Sequence, residues 1–161
     1  MGTKPIPKGF HTLTANLVVK NAADAIEFYK KAFGAQEIYI DYAPHGKNII
    51  HAELKIGDSI IMLNDEFPSW NVLSPKSIGG SAVTIHMYVD DVDKIFNQAV
   101  AAGAKATMPL MDAFWGDRYG HLEDPFGHKW SIATHKKDLS REEIRKAAEE
   151  FFANMVKQQG S

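Results

Sequence analysis

Three histidines and two glutamates have the types and spacing that acid–base chemistry requires. His51 and Glu53 are separated by one residue, and His121 and Glu123 repeat this arrangement 70 residues later, with His86 between the two pairs. An imidazole beside a carboxylate can transfer protons near neutral pH, and the same groups could hold a displaced metal ion. We therefore take His51, Glu53, His86 and His121 as candidate catalytic residues. The structural alternative is that the duplicated pairs form hydrogen bonds across a sheet.

The 70-residue spacing continues outside these pairs. Gly57 and Gly127 have the same separation, and residues 16–35 match residues 86–104 as a strand, an Asn or Asp turn, an amphipathic helix and a Gly-Ala end. A period of this length exceeds that of a solenoid repeat, so it indicates two duplicated modules and not an array.

Hydrophobic periodicity predicts the order βαβββ in each module. Asn21 is expected to cap the first helix, and Gly34 and Gly103 are expected to end the two helices. The predicted strands are residues 12–19, 35–42, 49–56 and 59–65 in the first module, and 82–89, 105–112, 118–123 and 129–135 in the second. The predicted fold class is α+β, with duplicated βαβββ modules whose curved mixed sheets form a cleft, plus a C-terminal helix.

The modules are expected to share one domain over residues 1–137. They lie at about residues 10–66 and 81–136, and the loop 66–80 between them contains Pro, Ser and Gly without periodicity. Residues 138–161 are predicted to form a C-terminal helix and tail.

An apolar stripe runs along this C-terminal helix, which a capping box of Ser140 and Glu143 is predicted to begin. The stripe must bury against its own sheet or against a second subunit. Its members are Ile144, Ala148, Phe151, Phe152 and Met155.

Strand alternation predicts which side chains face the cleft. The apolar strand face should meet the helix, which leaves the polar face to line a wet groove or binding pocket. The predicted cleft residues are Thr12, Thr14, Asn16, His51, Glu53, Ile60, Met62 and Asn64 in the first module, and Thr84, His86, Tyr88, Tyr119, His121, Glu123, Lys129, Ser131 and Ala133 in the second.

Loop aromatics and one arginine add to the candidate ligand site. Trp70 and Trp115 would either stack on a planar ligand or close the open end of the sheet. Arg118 would either meet an anionic group at the cleft mouth or pair locally with Asp117. His135, at the end of a strand, is interpreted as a plain surface residue. The candidate ligand-binding residues are Asn16, Trp70, His86, Tyr88, Trp115, Arg118 and Tyr119.

Composition excludes several classes of protein. The chain has 161 residues, of which 45% are hydrophobic and 24% are charged, as in an ordinary globular domain. Eighteen Lys and Arg against twenty Asp and Glu leave a net charge of −2, so we expect no nucleic-acid partner. No cysteine is present, which removes disulfides, thiol catalysis and Cys-based zinc sites. No apolar run is long enough to span a bilayer and no secretory signal is evident, so we expect a cytoplasmic protein without a membrane partner.

The paired modules resemble the vicinal oxygen chelate superfamily over about residues 10–135. The resemblance rests on the VxD-type turn before each helix, the AAG and AFGA helix ends and the EDPFGHKWSIATH hairpin. That superfamily includes glyoxalase I, extradiol dioxygenases, fosfomycin-resistance enzymes and bleomycin-resistance proteins. The GDRYG and DPFGHKW stretches are similar to its glyoxalase-like or bleomycin-resistance-like branch. The resemblance also implies a homodimer, with clefts formed within or between chains.

The metal enzymes of this superfamily carry their ligands at fixed inward positions of the first and fourth strand of each module. By resemblance, those positions are Thr14, Met62, Thr84 and Ser131 in this chain. None of them is a histidine or a carboxylate, and hydroxyl groups with a thioether would hold zinc, iron or nickel poorly. We predict no cofactor, and a divalent metal is disfavoured.

The sequence therefore predicts a small-molecule-binding protein of the glyoxalase and bleomycin-resistance type that works without a metal and holds a polar or planar ligand in its cleft. The alternative is a glyoxalase-type lyase or isomerase that acts on a small carbonyl compound. It would use the His and Glu groups as acid and base, or a divalent metal relocated onto them.

Overall fold

The computed structural model describes residues 3–159 of the chain, and within them both modules have the predicted order of elements. A 3₁₀ turn at Pro68–Trp70 and the short helix α2 (Pro75–Ile78) lie in the loop between the modules. In chain order the elements are β1 (Asn16–Val19), α1 (Ala22–Phe33), β2 (Gln36–Tyr42), β3 (Ile49–Ile56), β4 (Ser59–Asp65), α2 (Pro75–Ile78), β5 (Thr84–Tyr88), α3 (Val92–Ala102), β6 (Lys105–Asp112), β7 (Asp117–Glu123), β8 (Lys129–His135) and α4 (Arg141–Gln159).

Each module forms one four-stranded mixed sheet. The strand orders are β1-β4-β3-β2 and β5-β8-β7-β6, so the two sheets have the same topology. In each sheet the first strand pairs parallel with the fourth, and the remaining pairs are antiparallel. The predicted fold class is confirmed: α+β, with duplicated βαβββ modules and a C-terminal helix.

The helix ends follow from local side-chain chemistry. The Asn21 side chain accepts a hydrogen bond from the Asp24 N–H at 3.2 Å, and Asp91 does the same for the Lys94 N–H at 3.0 Å. These contacts satisfy backbone donors that the first turn of a helix leaves without a partner. Gly34 ends α1 with φ = 66°, a left-handed conformation that glycine adopts without a steric penalty.

The predicted first strand is too long at its start. The prediction began it at residue 12, whereas β1 begins at Asn16, and Leu13 is 89% exposed. The chain before β1 instead lies on the polar face of the first sheet, where a Cβ on Gly9 would come within 3.2 Å of the Ile60 side chain. Alternation in the sequence cannot reveal that residues 12–15 lie outside the strand. It predicts which side of a strand each side chain occupies, but not whether the backbone pairs with another strand.

A register shift between β2 and β3 changes one predicted face. Tyr42 pairs with Ile49 although Asp41 pairs with His51, so the ladder contains an irregularity at this point. As a result Ile49 is buried, and Ile50, which alternation assigned to the apolar face, is 38% exposed.

The two helices α1 and α3 pack on each other and cover the apolar faces of the sheets. On the side of α1, the Tyr29 and Phe33 rings also reach Trp130 of the second sheet, with ring centroids 5.7 and 4.7 Å apart. The α1 helix therefore contacts the apolar faces of both sheets. Within residues 3–159, no helix is long and apolar enough to cross a bilayer.

A buried carboxylate joins the two modules. Asp124 Oδ2 accepts hydrogen bonds from the Tyr29 hydroxyl at 2.7 Å and the Trp130 Nε1–H at 2.9 Å. Its other oxygen accepts from the backbone N–H groups of Phe126 and His128, which shapes the β7–β8 hairpin. Burial, and then the neighbouring Asp124 charge, raise the pKa of Tyr29 well above its usual value of 10, so the phenol remains a donor.

We predict that Tyr29→Phe lowers the free energy of unfolding by about 1 to 2 kcal/mol, because it removes one hydrogen bond to a buried charge. Asp124→Asn should cost about 2 to 3 kcal/mol, since it weakens the acceptor that serves all four donors. The measurement is urea unfolding followed by circular dichroism. Tyr39→Phe, at a half-exposed tyrosine of β2, is the matched control. A Tyr29→Phe protein as stable as the wild type would contradict this role of Asp124.

Candidate functional site

The polar face of the second sheet brings aromatic and imidazole side chains together. Strand register places residues of β5, β8 and β7 side by side in two rows. Each row has a small, buried residue of β8 in its centre, and rings on the strands to both sides. The rows are Tyr88–Ala133–Tyr119 and His86–Ser131–His121.

We name the rings on this face the aromatic platform (His86, Tyr88, Trp115, Tyr119 and His121), and they form one group on β5 and a second on β7 and the loop before it. The His86 and Tyr88 rings meet edge to face at 4.6 Å on β5. On the other side, the Tyr119 ring contacts Trp115 at 4.7 Å and His121 at 5.5 Å. Rings presented in this way can stack on a planar ligand, while their polar atoms give it an orientation.

Asp117 fixes two of the platform rings. This carboxylate is 4% exposed, and its Oδ2 accepts from the Tyr88 hydroxyl at 2.9 Å and from the Trp115 Nε1–H at 3.0 Å. Burial alone would raise the pKa of Asp117, but hydrogen bonds from His135, Tyr88 and Trp115 outweigh burial and lower it. The hydrogen bond to Asp117 raises the pKa of Tyr88. The charged carboxylate therefore holds both rings in place.

The other oxygen of Asp117 binds His135. The His135 Nδ1 lies 2.8 Å from Asp117 Oδ1, and its Nε2 lies 3.0 Å from the Asp138 carboxylate. These two hydrogen bonds raise the pKa of His135 above its usual value near 6.5. The interpretation of His135 as a plain surface residue is therefore wrong, although its side chain is half-exposed. The hairpin register could have revealed the contact, because it pairs His135 with Asp117 on the polar face.

His86 has one ring nitrogen engaged within the platform. Its Nδ1 lies 3.0 Å from the hydroxyl of Ser131, a buried residue. The Nε2 is the ring nitrogen that remains to face a ligand, and it could donate or accept a hydrogen bond according to the tautomer. Ser131 thus positions the His86 ring at the floor of the platform.

The candidate residues of the first module lie on the other polar face. His51 Nε2 is 3.2 Å from Glu53 Oε1, so this imidazole and carboxylate do form a pair. The Asn16 side chain donates to Asn64 Oδ1 at 3.3 Å. Part of this face is covered by the N-terminal segment, since residues 5–14 and Glu53 line a shared cavity. Within residues 3–159, no side-chain hydrogen bond or ring contact joins His51 or Glu53 to His86 or His121.

Two candidate ligand-binding residues are directed elsewhere. The Arg118 guanidinium binds both oxygens of Asp93 on α3 at 2.8 Å and also contacts Asp112 at 3.3 Å. These contacts raise the pKa of Arg118, lower that of Asp93, and replace the expected pair with Asp117. The Trp70 ring stacks on Phe67 at 5.4 Å, in the loop after the first sheet, and is 73% exposed. The structure does not bring Trp70 and Trp115 together.

The residues at the superfamily's metal positions do not fit a divalent metal. Ser131 is hydrogen-bonded to His86, Thr84 is exposed at the start of β5, and Met62 offers a thioether. Hydroxyl and thioether groups without a carboxylate or imidazole are poor ligands for zinc or iron. In the part of the chain that the structure describes, no three His, Asp or Glu side chains are grouped so that they could hold a metal ion.

Comparison with known proteins identifies the fold family. The profile of the Glyoxalase/Bleomycin resistance protein/Dioxygenase superfamily matches residues 10–132. The chain belongs to this superfamily. The match ends before α4, so this helix is an addition to the part of the chain that defines the superfamily.

Relatives within the superfamily show the fold more clearly than the function. An uncharacterized protein of Mycobacterium bovis is 46% identical over 138 residues, which cover 84% of this chain and 90% of that protein. The solved structure of TioX from Micromonospora is 27% identical, with a TM-score of 0.61, and the match covers 78% of this chain and 98% of TioX. The fosfomycin resistance protein FosX from Mesorhizobium loti is 16% identical with a TM-score of 0.56, over 80% of this chain and 93% of that chain. At this identity the likeness shows the fold alone.

We predict that His135 stabilises the protein more at low than at high pH. A raised pKa means that the folded state binds the proton more tightly. The stabilising effect is therefore complete below the unfolded pKa and is lost as the pH rises through the folded one, while Asp117 remains charged. His135→Gln should lower the free energy of unfolding clearly at about pH 5.5 and much less at about pH 9.

The measurement is urea unfolding of both proteins across this pH range. His11→Gln, at an exposed histidine before β1, serves as the control and should show no such difference. A loss of stability in His135→Gln that is the same at both pH values would contradict the ionic role of the Asp117–His135–Asp138 contact.

Proposed function

We propose that this protein binds a small polar or planar molecule on the aromatic platform of its second sheet and does so without a metal. The observation that carries the proposal is the arrangement of rings around small residues. Ser131 and Ala133 are buried, at 5% and 0% exposure, and the His86 and Tyr88 rings on one neighbouring strand and the Tyr119 ring on the other form the polar face beside them. A planar ligand would therefore stack on the faces of these rings and not enter a space between the strands.

Polar groups at the platform would orient the ligand. The His86 Nε2 and the half-buried His121 imidazole offer hydrogen bonds that change with the tautomer. The Tyr88 and Trp115 rings are held by Asp117, so little side-chain entropy is lost when a ligand stacks on them. Pre-organised rings of this kind favour binding, and binding by stacking requires no chemical step.

A homodimer is part of the proposal. Among the described residues, no side-chain hydrogen bond or ring contact joins the polar face of the first sheet to that of the second, so we infer that a cleft that uses both faces requires a second copy. The α4 helix carries an exposed apolar stripe, with Phe152 at 56% and Val156 at 71% exposure. Its contact with the rest of the chain includes the Phe114 ring, 5.5 Å from Phe151 and 6.2 Å from Phe152. A cytoplasmic location and the lack of a nucleic-acid partner remain predictions from composition.

The second candidate is a lyase or isomerase that acts on a small carbonyl compound. The His51–Glu53 pair, at 3.2 Å, favours it because an imidazole next to a carboxylate can abstract a proton from a carbon beside a carbonyl. In a dimer, this pair would meet His86 and His121 only if the partner's second sheet covers the first sheet. The N-terminal segment occupies part of that space.

We predict that Trp115→Leu weakens the binding of planar compounds about fivefold, because a stacked ring contributes about 1 kcal/mol beyond the area that it buries. The probes are tryptamine, indole-3-ethanol and indole-3-acetate, which share one ring system and differ in charge. Binding is followed by the changes in the chemical shifts of the probe's own indole N–H signal as protein is added. Trp70→Leu, at an exposed ring outside the platform, is the matched control and should leave the affinities unchanged. Equal losses in both variants would contradict the platform as the binding site.

Catalysis is separated from binding by hydrogen–deuterium exchange. With dihydroxyacetone in heavy water, the proposal expects no exchange of carbon-bound protons above the buffer rate. Exchange that the wild type catalyses and that His51→Gln or His86→Ala abolishes would favour the lyase or isomerase. Tyr42→Phe, on an exposed tyrosine of β2, controls for an unspecific loss.

We predict that Phe152→Glu combined with Val156→Glu converts the dimer into a monomer, because two charges in a buried apolar contact are not tolerated. The measurement is the mass in solution by light scattering. Asn154→Glu, on the opposite side of α4, should leave the dimer intact. A dimer that survives the double substitution would exclude the stripe of α4 from the interface.

A further inference from the structure

A second cavity lies between the modules, and His86 and Tyr88 of the platform form part of its lining. It has a volume of about 650 Å³, which is within the range of small-molecule sites. On one side it is bounded by the tight β3–β4 turn at Gly57, and on the other by β5 and the start of α3. Its lining is mostly apolar and includes Phe33, Ile56, Ile61, Ile85, Met87 and Ile95.

The duplication of the fold shows why this space is open. At the pseudo-equivalent place, the β7–β8 hairpin fills the gap between the modules. Its Phe126 ring packs 6.0 Å from Phe28, and its His128 Nε2 donates to the Val18 carbonyl at 2.9 Å, on the outer edge of β1. The β3–β4 hairpin turns over Gly57 and Asp58 alone, so it supplies neither an aromatic ring nor an imidazole.

The outer edge of β5 is therefore left without the partner that β1 has. Tyr88 lies 70 residues after Val18, at the matching position. Since the Val89 N–H donates to Ala133 on β8, alternation directs the backbone groups of His86 and Tyr88 to the outer edge. In residues 3–159 no strand pairs with this edge. Its carbonyl groups are acceptors at the side of the cavity.

The charges at the mouth of the cavity are mainly negative. Asp58, Asp90 and Asp91 line it together with a single cation, Lys94. Asp91 uses one oxygen to cap α3, and Asp58 accepts from the Ser59 hydroxyl. Carboxylates and backbone carbonyls are acceptors, so the mouth matches a group that has several donors and a positive charge. An ammonium group has three donors and no acceptor.

We propose that this intermodule cavity binds a small organic amine, whose apolar body lies among the isoleucines and whose ammonium group lies at the acidic mouth. Burial of the apolar body provides the main attraction, because it removes apolar surface from water on both partners. The Asp58 and Asp90 carboxylates select the cation over a neutral or acidic analogue of the same shape.

The test uses three probes of one shape: 4-phenylbutylamine, 4-phenylbutanol and 4-phenylbutyrate. Binding is read from the δ1-methyl NMR signals of isoleucine in the full chain. We expect the signals of Ile56, Ile61, Ile85 and Ile95 to shift, and that of Ile144 on α4 to stay in place. The amine should bind at least fivefold more tightly than the alcohol, and the acid most weakly. Signals that do not move, or that move equally at Ile144, would overturn the proposal.

Two kinds of variant separate the body of the site from its mouth. Met87→Trp fills the cavity and should weaken the amine at least tenfold, whereas Val100→Trp, on an exposed position of α3, should not. Asp58→Asn combined with Asp90→Asn should abolish the preference for the amine over the alcohol, while the affinity for the alcohol stays the same. Glu149→Gln combined with Glu150→Gln removes the same charge from α4 and should retain that preference. A preference that survives the first pair of substitutions would overturn the assignment of the mouth.

A second copy of the chain is the competing occupant of this cavity. Light scattering of Met87→Arg distinguishes it, with Val100→Arg as the control. We expect the mass in solution to be unchanged in both variants. A fall in mass confined to Met87→Arg would place a protein interface here and overturn the proposal of a ligand site. Since His86 and Tyr88 belong to both sites, Trp115→Leu distinguishes them, because it removes a platform ring that does not line the cavity. The affinity for 4-phenylbutylamine should be unchanged in this variant, and a loss of amine binding there would overturn the proposal.

Discussion

The hydrogen bonds of one buried carboxylate hold the two halves of this protein together. Asp124 is 2% exposed and accepts from Tyr29 of the first module and from Trp130 of the second. A charge in this position is tolerated only when donors surround it, and it has four. The aromatic core between α1 and the second sheet forms around it, and so the relative placement of the two polar faces depends on it.

A second buried carboxylate, Asp117, holds side chains together at the aromatic platform. Asp117 orients the rings of Tyr88 and Trp115 and binds His135, so that a loop, two strands and the chain leading to α4 meet at one group. In both cases a carboxylate removed from water gathers donors from distant parts of the chain. The first holds the modules together, whereas the second gives the aromatic platform its shape.

Small differences between the duplicated modules decide where ligands can bind. The N-terminal segment lies on the polar face of the first sheet, whereas the polar face of the second sheet carries the rings of the aromatic platform. The β7–β8 hairpin carries Phe126 and His128 into the gap between the modules, while the β3–β4 hairpin is too short to do so. Equal topology thus produces two different polar faces and one open intermodule cavity, which is why the shared fold says little about function.

The sequence by itself determined the elements, the duplication and most of the strand faces. These features depend on local spacing, such as the alternation that buries Leu54 and Leu63, or on the constant offset between modules. Only the tertiary structure decided that Arg118 binds Asp93 on α3, that Trp70 stacks on Phe67, and that His51 and His86 have separate partners, Glu53 and Ser131. The physical reason is that such contacts join residues far apart in the chain. Their partners are selected by the packing of α1 on α3 and by the turns at the sheet ends, and no periodicity within a single strand records that packing.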